Sequence, residues 1–124
     1  MRAGVQGRKQ WDASVNTKVH ELLKDVARAG VCATYAEIGN PLDLDMAVPA
    51  DREALSAMLD EVNQYEHAQG APLLSSVVVS AGSKIPGSGY FLCARKLGLH
   101  NDGDDDRKFW NDEVGRVHAW WKYR

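Results

Sequence analysis

The sequence predicts an α+β domain: three helices, then a β-hairpin, closed by an aromatic C-terminal helix. Three observations carry that expectation. Apolar residues recur at helical spacing in two long segments on either side of a short capped turn. The run Val77-Val78-Val79 is the strongest strand signal in the chain. A glycine-rich tip then separates it from a second apolar run, Tyr90-Phe91-Leu92-Cys93. Helix-turn-helix followed by a hairpin is the winged-helix order.

Residues 1–11 read as a flexible basic arm, with Arg2, Arg8 and Lys9 and little apolar content. Residues 12–124 read as one winged-helix-like domain, long enough to bury a core unaided. Asp12 or Ser14 caps a helix running to about Ala29, with Val15, Val19, Leu22, Leu23 and Val26 on its apolar face and Gly30 as its stop. Thr34 and Glu37 stand at capping-box spacing and open a short helix from Tyr35 to Ile38, which the breaker Gly39-Asn40-Pro41 ends. After a loop over residues 41–49, a helix from about Asp51 to Ala68 places Leu55, Met58, Leu59, Val62 and Tyr65 on one side. Leu73 to Ser80 is the first hairpin strand, residues 81–89 are its tip, and Tyr90 to Cys93 return. Residues 94–99 either continue that strand or turn into a short helix. His100 to Asp106 is an exposed acidic loop, and the last helix spans about Asp105 to Trp121.

The net charge of −2 is unevenly placed. Residues 1–31 carry six basic against three acidic groups, residues 32–75 carry Arg52 against eight acids, and residues 76–124 carry eight basic against six acidic groups. A basic arm suits phosphate, and an acidic middle suits a basic partner. The N-terminus has no apolar h-region and no stretch approaches the length of a membrane helix, so the expected location is cytoplasmic. Cys32 and Cys93 form no CxxC pair, and are expected to be buried reduced thiols unless geometry pairs them.

Catalytic and metal chemistry find little support. His20, His67, His100 and His118 lie in four different elements, so no base is oriented by a third group. His20 and His67 read as solvated and His118 as packed. The loop His100-Asn101-Asp102-Gly103-Asp104-Asp105-Asp106 puts its glycine too early for a calcium loop. Residues 81–89 hold glycine, lysine and serine, but the order is not that of a phosphate-binding P-loop. Neither a cofactor nor a metal is expected. Adjacent Trp120 and Trp121 cannot both be buried well by one helix face, which leaves one as an exposed anchor.

The segment Thr34-Tyr35-Ala36-Glu37-Ile38 resembles the TYGEIA stretch that opens the helix-turn-helix of alkylguanine-DNA alkyltransferases and their alkyltransferase-like relatives. Arg52, at the start of the following helix, matches that family's helix-start arginine, and Val77-Val78-Val79 with Gly82-Ser83 and Gly89-Tyr90 matches its strand and glycine turn. The resemblance covers residues 19–91. It implies a DNA-binding domain in which Tyr35 and Arg52 help extrude a base into a pocket. The family's PCHR motif is absent: Pro72-Leu73-Leu74-Ser75-Ser76 stands in its neighbourhood with no cysteine acceptor, so alkyl transfer is not expected.

The expected function is therefore non-catalytic DNA binding, through Tyr35, Arg52, a wing lysine at Lys84, and Arg8 and Lys9 of the arm. The alternative is a protein-interaction module that meets a basic partner through Glu53, Asp60, Glu61 and Trp120. The acids of the second long helix favour that alternative, since phosphates repel them.

Overall fold

A computed structural model describes residues 17–124. The expected basic arm, the cap at Asp12 or Ser14, Arg8 and Lys9 lie outside the described residues. Helix α1 is described over residues 17–28 and buries Val19, Leu23 and Ala27, spaced four apart on one face. Gly30 ends it with φ 71°, a left-handed conformation that costs glycine little.

Strand β1, Ala33–Thr34, leads straight into helix α2, Tyr35–Gly39. The capping box forms as the spacing predicts: Glu37 N–H donates to Thr34 Oγ1 at 3.2 Å, and Thr34 N–H donates to Glu37 Oε1 at 2.8 Å. A 3₁₀ turn over Asn40–Leu42 and a loop follow. Helix α3 spans Pro49–Ala68, with proline in its first turn and Leu55, Leu59, Val62, Asn63 and Glu66 buried.

The second half corrects the expected α+β winged-helix fold. Among the described residues the protein is mostly helical, and its sheet is two strands of two residues each. Strand β2, Val78–Val79, pairs in parallel with β1, Ala33 opposite Val78 and Thr34 opposite Val79. A parallel pair needs a crossover rather than a hairpin, and α2 and α3 supply it. Leu74–Val77, expected in a strand, forms a fully buried 3₁₀ turn. Tyr90 to Cys93, expected to return as the second strand, belongs to helix α4, Ser88–Lys96. The burial pattern gives the reason. Tyr90, Phe91, Cys93 and Ala94 are buried while Leu92 is 53% exposed. A strand would have put Tyr90 and Leu92 on the same face. No β-hairpin wing forms among the described residues, and Lys84 sits in a loop instead.

Helix α5, Asp106–Trp121, begins at the capping side chain of Asp105, which accepts from Arg107 N–H and Lys108 N–H. The core is a central segment wrapped by helices. Leu74, Val77 and Val78 pack with Val19 and Leu23 of α1, Leu55 and Leu59 of α3, and Val117 and Trp121 of α5. A smaller cluster joins Leu73 to Tyr90, Phe91 and Ala94 of α4, with Phe109 and Trp110 against it.

Other expectations change with burial. Cys32 is exposed, Cys93 is buried, and both are free thiols. His20, expected in solvent, pairs with the buried Glu66 carboxylate across α1 and α3. His100 opens the acidic loop but is itself buried, bonded to Asp106 at 2.7 Å and stacked on Phe109 at 4.5 Å. Trp121 takes the core and Trp120 is half-buried beneath the guanidinium of Arg124. Among the described residues no helix is long and apolar enough to cross a membrane.

Candidate functional site

The central 3₁₀ turn is held by polar side chains that arrive from three helices. Asn63 of α3 is fully buried; its Nδ2 donates to Ser75 Oγ at 2.7 Å and its Oδ1 accepts from Ser75 N–H at 3.0 Å. Tyr90 Oη of α4 lies 2.6 Å from Ser76 Oγ. From α5, Trp110 Nε1 donates to Ser76 O at 2.8 Å, and Glu113 Oε2 accepts from Leu73 N–H at 2.9 Å. Glu113 also pairs with Arg116, which neutralises a buried carboxylate. Backbone groups that a strand would have bonded to a neighbour are satisfied here by side chains.

Beside this turn opens a cavity of ≈ 530 Å³, within the size range of small-molecule sites. Tyr35 and Ala36 of α2 form one wall and Met46 of the loop before α3 another. Helix α3 contributes Arg52, Ser56, Leu59 and Asp60, a single stripe at helical spacing. Ser75 lines the cavity from the central turn, Ser80 and Ala81 from the loop after β2, and residues 87–90 from the start of α4. Glycine at 89 eases the close approach of α4 to α3, since a Cβ there would stand 3.2 Å from Ser56 Oγ and press on that hydroxyl.

Tyr35 and Arg52, which the resemblance pairs, both line this cavity. Tyr35 Oη accepts from Gly87 N–H at 2.8 Å, which fixes the ring and aims the phenol's own proton away from that amide. Burial pushes the Tyr35 phenol above its ordinary range, so it stays a donor at neutral pH. Arg52 Nη1 donates to Met46 O at 2.8 Å, anchoring the loop before α3, and the exposed side chain, which also lines the cavity, retains further donors. Asp51 Oδ2 accepts from Asp45 N–H at 2.8 Å and ties the same loop.

Lys84 lies on the loop between β2 and α4, exposed, with φ 66°. The ends of that loop, Ser80, Ala81 and Gly87, line the cavity, so Lys84 stands near its rim without lining it. The four residues of the alternative site are divided among different surfaces. Asp60 turns into the cavity, Glu53 faces solvent, Glu61 lines a cleft with His20 of α1, and Trp120 lines another with Pro72 and Tyr123.

Sequence reasoning missed Asp60, Ser56 and Ser75 as cavity residues. The signal for the first two was present: counting from Arg52, positions 56, 59 and 60 follow on one helical face. Burial pushes the Asp60 carboxyl up, opposed by the Cys93 thiol that hydrogen-bonds it and by Lys96 nearby. A carboxyl raised in the folded state contributes most to stability while protonated, and that contribution is lost as pH rises from the unfolded value through the folded one. Asp60→Asn is therefore expected to be more stable than the parent at pH 7, with the gap closing as pH falls through the carboxylate range. Urea melts at pH 7 and pH 4 check this.

Among the described residues no histidine lines the cavity and no group of three or more His, Cys, Asp or Glu side chains is placed to hold a metal. Burial, with the Asp60 charge adding to it, pushes the Cys93 thiol up, so the nucleophilic thiolate is disfavoured. No protein-family model, curated protein or solved structure matches this chain.

Proposed function

We propose that the protein is a non-catalytic DNA-binding protein that receives one extruded base in the cavity between α2, α3 and α4. The observation that carries this reading is the convergence of Tyr35 and Arg52 on one cavity of suitable size. These are the positions at which the resemblance to alkyltransferase DNA-binding domains implies base extrusion. Tyr35 offers a ring wall and a donated proton, Leu59 and Met46 offer apolar surface for a base, and Arg52 at the mouth offers charge to the backbone the base has left. The PCHR cysteine has no counterpart in Pro72-Leu73-Leu74-Ser75-Ser76, and the thiolate of Cys93, which shares the Asn63 amide with Ser75, is disfavoured; both support binding without group transfer.

The acids around the start of α3, Asp45, Asp51 and Glu53, oppose phosphate. Affinity for ordinary duplex is therefore expected to be weak and to fall with salt. Extrusion from a paired stack costs a few kcal/mol, so an unpaired base enters more easily. Fluorescence anisotropy at about 50 to 200 mM salt with labelled duplexes, one fully paired and one with a single unpaired base, is expected to show roughly tenfold tighter binding to the second. Equal affinity for both, or no binding at the lowest salt, contradicts the reading.

A further inference from the structure

Among the described residues, Asp60 is the one carboxylate that lines the cavity. It stands two turns along α3 from Arg52, roughly 12 Å at the rise of an α-helix. That separation is on the scale of a nucleotide from its phosphate to the far edge of its base. The groups that face Asp60 are Cys93 and Lys96 of α4 and Tyr35 of α2. An ionised carboxylate offers acceptors only, two oxygens side by side. Its best partner has two N–H donors side by side.

The bases differ in this respect. Guanine carries adjacent donors, N1–H and the N2 amine, on its Watson–Crick edge. Adenine and cytosine each set one amine beside a ring acceptor, which would meet the second oxygen as a like charge. Thymine has one N–H between two carbonyls. We infer that the cavity selects guanine, held by both oxygens of Asp60 on its Watson–Crick edge; this rests on the base-receiving function proposed above. Tyr35 donates its phenol proton to an acceptor on the same ring. A guanine alkylated at O6 has lost N1–H and is rejected, so the selectivity runs against alkylated guanine.

The test has two arms on the full chain. In the first, guanosine, inosine, adenosine and O6-methylguanosine 5′-monophosphates are titrated by calorimetry. In the second, labelled duplexes carry guanine or adenine opposite an abasic site and are followed by anisotropy. Guanine is expected to bind about 10- to 100-fold tighter than adenine, the discrimination of a bidentate pair. Inosine, which keeps N1–H and lacks the amine, falls between, and O6-methylguanosine binds no better than adenosine. Asp60→Asn presents one acceptor and one donor, and is expected to turn the preference toward adenine. The wild-type series stands without the variant.

DNA binding with no preference among bases, or a guanine preference that a folded Asp60→Asn protein retains, overturns the inference and leaves DNA binding in place. Guanine discrimination among free nucleotides without DNA binding retains the role of Asp60 and overturns the DNA reading. Failure of both arms overturns both.

Discussion

Asn63→Ala is expected to lower stability by about 3 kcal/mol. The side chain is fully buried and serves Ser75 twice, accepting from its amide and donating to its hydroxyl. Alanine removes both contacts and takes their partner from two buried polar groups of Ser75, each loss costing roughly 1–3 kcal/mol. The cavity left behind adds to that loss. The melting temperature should fall by roughly 10 °C. Gln64→Ala, one residue along and exposed, should stay within about 0.5 kcal/mol of the parent and serves as the control. Ser75→Ala removes only the hydroxyl contact and should cost less than Asn63→Ala. Chemical denaturation of the three variants checks the order. Equal stability of Asn63→Ala and the parent would mean that the central turn is held by apolar packing alone.

Arg52→Ala is expected to weaken DNA binding about tenfold and to reduce the salt slope by about one, the signature of one lost phosphate contact. Arg52 is exposed, lines the cavity and is the basic residue that α3 places there. The same residue bonds Met46 O, so the substitution also loosens the loop before α3. Arg52→Lys separates the two roles. Lysine keeps the charge and hence most of the salt slope, and gives up the planar fork of donors. A slope unchanged in Arg52→Ala would place the phosphate contacts elsewhere.

Local chemistry was legible in the sequence. The capping box at Thr34 and Glu37, the stop at Gly30, the start of the last helix near Asp105 and the long helix ending at Ala68 all form near the positions that the sequence predicts. Each depends on residues within a few positions of one another. The hairpin was not legible, because what decides Leu73 to Val79 is remote. Val78 and Val79 find Ala33 and Thr34 as parallel partners, and the residues before them are claimed by Asn63, Trp110 and Glu113 from other helices. A β-branched run followed by glycines has the same local pattern in either arrangement. Tyr90 to Ala94 did carry a warning, since apolar residues at 90, 91 and 94 fit a helix better than a two-residue alternation.

The site divides in the same way. Tyr35 and Arg52 could be named because a motif and a helix start marked them. Asp60 read as one acid of a helix face that meets a basic partner, and nothing in the sequence set Asn63 apart. Polar residues on a helix are assigned to water by default, and only the tertiary fold turns these two inward. The cavity is also assembled from α2, α3, the central turn and α4, so no local window contains it.

The most direct test of the central claim is a two-dimensional amide spectrum of ¹⁵N-labelled protein titrated with a duplex that bears one unpaired guanine. Base entry predicts that the largest shifts fall on Tyr35, Arg52, Asp60, Gly87 and Gly89, which surround the cavity from three helices. Shifts concentrated instead in the cleft beside Trp120 and Tyr123, with the cavity residues unmoved, would contradict it.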